Sequence, residues 1–98
     1  MITPKTLENR ILTVLLDGKL NTGTTPKVST EIKADVEQAE KLVIDIKDLK
    51  FVSSAGLRLL FLLHKRMSEK GGMVIKNVIE TNMEVLDFTG FTDILNIE

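Results

Sequence analysis

Two adjacent serines stand where an apolar run meets a helical one, in the stretch FVSSAGLRLLF at residues 51–61. A hydroxyl in that position has two uses. Ser53 or Ser54 can accept a hydrogen bond from a first-turn amide and cap the helix, which contributes about 1 kcal/mol. A serine there can also carry a phosphate, because a helix start offers unpaired N–H groups and the positive end of its macrodipole to an anion. Phosphoserine would bring about −1.5 to −2 charges to one exposed loop. Arg58, four residues past Ser54, is placed to partner them. Such a change alters an interface more than a fold.

Little else has the composition of a reaction centre. His64 is the one histidine, and without cysteine or a neighbouring carboxylate cluster it reads as a packed or surface imidazole rather than a metal ligand or triad member. The absence of cysteine excludes disulfides, thiolate metal sites and cysteine nucleophiles, and suits a reducing cytoplasm. Neither GxxxxGK[ST] nor GxGxxG occurs, so the usual phosphate-cradling loops are missing. Carboxylates fall in mixed runs such as DIKDLK and EQAEK, which read as solvated faces. No catalytic residue, metal site or cofactor is therefore expected, and the protein reads as a non-enzyme.

Thirteen basic and fourteen acidic residues leave a formal charge of −1, which supplies no bulk field for nucleic acid or an anionic membrane. MITPKTLENR lacks the pattern of a secretion signal, and no apolar stretch approaches the eighteen or so residues of a membrane span. A cytoplasmic protein is expected. Ninety-eight residues, 43% of them hydrophobic and none Trp or Tyr, suit a single domain over 1–98 with one aliphatic core.

The elements that position the serines follow from periodicity. Ile2–Leu7 is predicted as a short edge strand, since Pro4 removes a ladder donor, and a turn follows at Glu8-Asn9. Ile11–Leu16 is a branched run that ends at Asp17-Gly18 and predicts a strand. Val28, Ile32 and Val36 recur every four residues, predicting an amphipathic helix with Thr25 as its cap and Pro26 at the first helical position.

KLVIDI at 41–46 predicts a central strand covered on both faces, with Asp45 its one polar interruption, joined by DLKFV to the serines. A helix from Ala55 to about Lys70 should end at Gly71-Gly72. Met73–Val78 predicts another strand, Thr81–Thr89 a last helix closed by Gly90, and Ile94–Ile97 a final strand. The leucines at 57, 59, 60, 62 and 63, with Phe61, cover more than one stripe of their helix. The surplus meets either a neighbouring helix or a partner. Strands alternating with helices imply an α/β domain with a mostly parallel sheet. Ser53-Ser54 then lies beyond the carboxyl end of a central strand, where such folds place their sites.

LVIDIKDLKFVSSAGLRLL resembles the signature of STAS domains of the anti-sigma factor antagonist type. DGKLNTGTTPKV is similar to the family's early turn into the first helix, and LDFTGFTDILNI to its closing helix and last strand, so the likeness spans almost the whole chain. It implies a four- to five-stranded, mostly parallel or mixed sheet with helices packed mainly on one face. It also implies an antagonist whose serine is phosphorylated by an anti-sigma factor serine kinase, released by that phosphate, and restored by a PP2C-type phosphatase.

Aligning through Gly56-Leu57 places the phosphoacceptor on Ser54. Ser53 and Asn21 then stand where many relatives have aspartate. Partner contacts would come from Asn21, Thr22, Ser53, Ser54, Ala55, Gly56, Leu57 and Arg58, on a monomer or weak dimer. Three functions share the resemblance: the phosphorylation-switched antagonist, a docking-only subunit such as that of a lipid-transport ABC complex, and nucleotide binding around Asn21 and Ser54.

Overall fold

The computed structural model describes residues 3–98. Val28, Ile32 and Val36 line the buried face of helix α1, Thr25–Gln38, as their spacing requires. Four strands form the sheet: β1 (Lys5–Glu8), β2 (Ile11–Leu20), β3 (Lys41–Val52) and β4 (Met73–Lys76). They lie in chain order across it, with β1 antiparallel to β2 and the two remaining pairs parallel. Helices α2 (Ser54–Ser68) and α3 (Glu80–Thr89) complete the domain, and a 3₁₀ turn follows at Phe91–Asp93. The expected α/β class, mixed sheet and helices on one face are what the chain forms.

One face of the sheet carries the core. Leu12, Val14 and Leu16 of β2, and Leu42, Ile44 and Ile46 of β3, are buried against α1 and α2, with Leu86 of α3 and Leu95 in the same cluster. The alternate residues Thr13, Leu15, Val43 and Asp45 are only half-buried. β3 is thus fully covered on one side and only partly on the other, whereas its near-continuous apolarity had predicted cover on both. Asp45 tolerates its place there because its Oδ1 accepts from the Lys47 amide and the Asn77 side chain, each at 3.1 Å. Burial pushes its carboxyl up, but those bonds and nearby Lys47 and Lys76 outweigh this and leave it below the ordinary aspartate range.

Several predicted boundaries move, each for a physical reason. Ile2 lies outside the described residues, and the first strand runs Lys5–Glu8. Its hairpin turns on Asn9 and Arg10, both at positive φ, the two-residue loop whose twist matches antiparallel strands. Asp17-Gly18 does not end β2: the strand bends through register shifts between Leu15 and Asp17 and between Gly18 and Lys19, then continues to Leu20. Gly18 takes a φ of 64° there.

The cap of α1 is Thr24, one residue earlier than predicted, which makes Thr25 the first helical residue and Pro26 the second. Thr24 makes no side-chain bond to the helix, because its hydroxyl donates to the Lys19 carbonyl at 2.6 Å instead. Ile94–Ile97 forms no strand. Ile97 makes a single parallel bridge to Ile75, after the 3₁₀ turn has consumed the approach.

The carboxyl end of α1 has no basic residue in its last turn, yet it is capped from outside. Lys70, just past α2, donates from Nζ to the carbonyls of Val36, Glu37 and Ala39 at 3.0, 2.9 and 2.9 Å. A cation there satisfies orphan acceptors and opposes the negative end of the helix dipole. Lys70→Met retains the stem and deletes the three bonds. It is expected to lower stability by about 1–2 kcal/mol in thermal unfolding. Lys70→Arg should recover part of the loss, and an unchanged melting temperature in Lys70→Met would show that water replaces the cap. Arg66 adds a second tie between the helices, pairing with Glu37 as well as Glu69. Its hydrogen bond holds the Glu37 carboxyl below the usual glutamate value.

Candidate functional site

β2 and β3 end side by side, with Leu20 registered against Val52. Each strand then releases a loop at the same corner of the sheet. From Leu20 the chain enters Asn21–Thr24, and from Val52 it enters Ser53 and α2. The Ser53 amide donates to the Leu20 carbonyl at 2.9 Å, so the two loops share one backbone atom as their anchor.

Asn21 organises the first loop. Its Oδ1 accepts from the amides of Gly23 and Thr24 at 2.9 and 3.0 Å, and its own amide donates to the Thr24 hydroxyl at 2.9 Å. This is an Asx turn, which needs only an acceptor oxygen, so asparagine serves as well as aspartate. What the carboxylate would have added is charge.

The two serines divide the uses that one hydroxyl could have had. Ser53 is the cap: it has extended backbone, and its side chain accepts from the Gly56 amide at 3.4 Å. Ser54 is the first helical residue and is exposed, and among the described residues its hydroxyl makes no hydrogen bond. One turn along the same face stands Arg58, also exposed, without an ion-pair partner among the described residues. An anion on Ser54 Oγ would meet the free amides of the first turn and a guanidinium.

Gly56 fixes how closely this helix start approaches the sheet. A Cβ at Gly56 would lie 2.8 Å from the Leu20 carbonyl oxygen, 2.8 Å from Val52 Cγ2 and 2.9 Å from Leu20 Cγ. No side chain fits. Gly56 and Leu57, predicted among the partner contacts, are both buried, so they hold the helix in place rather than offering surface. Thr22, Ser54 and Arg58 are exposed, and Asn21, Ser53 and Ala55 are half-buried. The predicted residues therefore do converge on one corner, as an exposed set resting on a buried pair.

A shallow, mainly apolar groove runs from this corner between the starts of α1 and α2. Pro26, Ser29, Leu59 and Leu62 line it together with Thr22, Thr25, Ala55 and Arg58. Thr25, Pro26, Ser29, Leu59 and Leu62 were not predicted as site residues; the surplus of leucines along α2 was the one signal for Leu59 and Leu62, and the α1 residues had none. Most of that surplus packs internally: Leu59 and Leu60 are buried, Leu63 joins the core, and Phe61 meets Phe91 with ring centroids 6.3 Å apart. Leu62 remains 47% exposed in the groove. His64 is half-buried further along the helix, and its Nδ1 has no partner among the described residues. Among the described residues no cluster of histidine and carboxylate is arranged to hold a metal ion, and no helix is long and apolar enough to cross a membrane.

The fold defines the class of protein: a small single α/β domain with a four-stranded mixed sheet and three helices. The family follows from comparison. The chain belongs to the STAS domain family, the match running over residues 4–98. It is 30% identical over 90 residues to the anti-sigma F factor antagonist of Paenibacillus polymyxa, covering 89% of this chain and 77% of that one. It is 28% identical over 89 residues to BtrV of Bordetella bronchiseptica, with the same two coverages.

Its fold superimposes on an anti-sigma factor antagonist from Mycobacterium paratuberculosis with a TM-score of 0.87 at 21% identity, over 97% of this chain and 82% of the other. The phosphorylated form of the Bacillus cell fate determinant SpoIIAA shares the fold at a TM-score of 0.74 and 17% identity, over 98% and 90% of the two chains.

Proposed function

We propose that this protein is an anti-sigma factor antagonist switched by phosphorylation of Ser54. Unmodified, it docks an anti-sigma factor serine kinase through the corner formed by Thr22, Ser54, Ala55 and Arg58 and through the groove that ends at Leu62. Phosphate on Ser54 then ends the complex, freeing the kinase to hold its sigma factor, and a PP2C-type phosphatase reverses the step. The protein acts in this cycle as substrate and ligand, without chemistry of its own.

The observation that carries the proposal is the separation of labour at the helix start. Ser53 takes the capping bond, so the exposed Ser54 hydroxyl has no structural duty to lose. Its position also suits the product, since first-turn amides and Arg58 favour an anion there. Relatives named as antagonists support the same reading, and a fold neighbour is known in a phosphorylated form.

Asn21 and Ser53, in place of the acidic residues common in the family, leave the corner less negative. A kinase surface matched to this chain should accordingly be less basic than one matched to aspartates. Incubation with the cognate kinase and ATP, followed by mass spectrometry of the intact chain and its peptides, is expected to find one phosphate, on Ser54. Modification elsewhere, or none, would favour a STAS subunit that acts by docking alone, and co-purification with a membrane ATPase would identify that alternative.

A further inference from the structure

The charges of this chain are sorted along its length. All thirteen lysines and arginines precede Asn77, against nine of the fourteen acidic residues, so residues 1–76 carry +4 and residues 77–98 carry −5. The near-neutral total conceals this. The acidic part contains α3, whose buried face is Asn82 and Leu86 and is tied to the sheet by Asn82 Nδ2 donating to the Leu49 carbonyl at 2.9 Å. On the opposite side Thr81, Glu84, Asp87 and Phe88 are all exposed, Glu84 and Phe88 one turn apart.

Phe88 is 93% exposed, far beyond any other large apolar residue of the chain among those described. The fold makes no use of that ring. Glu80, Glu84, Asp87 and Asp93 have no ion-pair partner among the described residues, whereas Glu98 pairs with Lys76.

We propose that the outward face of α3, centred on Phe88 and flanked by Glu84 and Asp87, is a second protein-docking surface. Its partner is a protein surface bearing lysine or arginine side chains around an apolar pocket that receives the ring. The charge decides the class: four unpaired carboxylates repel nucleic acid and anionic bilayers alike and attract a basic surface. An aromatic residue ringed by polar side chains is the composition in which a few buried contacts carry most of the binding. This surface shares no residue with the Ser54 corner, so a partner there is compatible with either phosphorylation state.

The test is a ¹H–¹⁵N NMR titration of the whole protein with an amphipathic lysine–leucine peptide as the probe. Saturable binding is expected, with the largest shifts at Thr81, Glu84, Asp87 and Phe88, and with affinity falling as salt rises. Phe88→Ser should weaken it about tenfold while leaving the remaining spectrum unchanged. The double variant Glu84→Gln/Asp87→Asn should weaken it and flatten the salt dependence. Shifts spread over the other acidic residues, or a Phe88→Ser affinity equal to that of the parent, would overturn the proposal. Dilution shifts at the same residues without peptide would also overturn it, by assigning this face to a second copy of the chain.

Discussion

Gly56→Ala is expected to destabilise the protein by about 2 kcal/mol, roughly 10 °C in melting temperature for a chain of this size. The sign is what makes the test sharp. Alanine favours an ordinary helical position over glycine by up to about 1 kcal/mol, so a helix start with free space would become more stable. Here the added methyl meets the Leu20 carbonyl oxygen at 2.8 Å, and that oxygen is fixed because it accepts from the Ser53 amide. Relief must come from lifting the start of α2 away from β2, which moves Ser54 relative to Asn21 and Thr22. The rate of phosphorylation by the kinase should fall together with stability. A stabilised Gly56→Ala variant would mean that the helix start is loose and that the corner is not a built surface.

If the proposed switch operates, Ser54→Asp is expected to weaken kinase binding by at least about 2 kcal/mol, or roughly 30-fold, because a carboxylate would have to be desolvated where the parent presents a neutral hydroxyl. Stability should be unchanged or slightly higher, since an acidic residue in a first turn interacts favourably with the helix dipole by about 0.3–1 kcal/mol. Isothermal titration against the kinase and a thermal melt separate the two effects. Ser54→Ala completes the comparison, since it should bind like the parent and resist phosphorylation. Undiminished affinity in Ser54→Asp would remove the switch from the proposal while leaving docking in place.

Both outcomes depend on geometry that was only partly legible in the residues. Val28, Ile32 and Val36 announced α1, and the branched runs at 11–16 and 41–46 announced the two central strands, because burial of one face imposes its period directly on sequence. The order of elements then placed Ser54 beyond a strand end. Other features depend on partners that no local pattern contains.

Asp17-Gly18 has the composition of a turn, yet the pairing of β2 with β3 carries the strand through it. DLKFV reads as a connection, whereas it is the last part of β3. The choice between Ser53 and Ser54 as the cap rests on where the helix begins, a matter of one residue. The groove and the Lys70 cap arise from how α1 and α2 lie together, so they could not be read before packing was known. Ile94–Ile97 failed as a strand because Ile94 keeps helical backbone as the cap of the 3₁₀ turn and the Leu95 amide donates back to the Phe91 carbonyl at 2.8 Å, which leaves Ile97 to bridge Ile75.

The unequal pairing of β2 and β3 carries one last implication. Between Leu15 and Leu20 β2 advances five residues, while β3 advances seven, from Asp45 to Val52. Residues 46–52 therefore act as a ruler: their number fixes where the chain leaves the sheet and at what angle the following helix sets out. Losing one of them would rotate the exit and turn the wrong serine outward, although the segment reads in sequence as a mere connection. Length variation in this domain should accordingly be accommodated elsewhere, with the Ile46–Val52 interval kept constant.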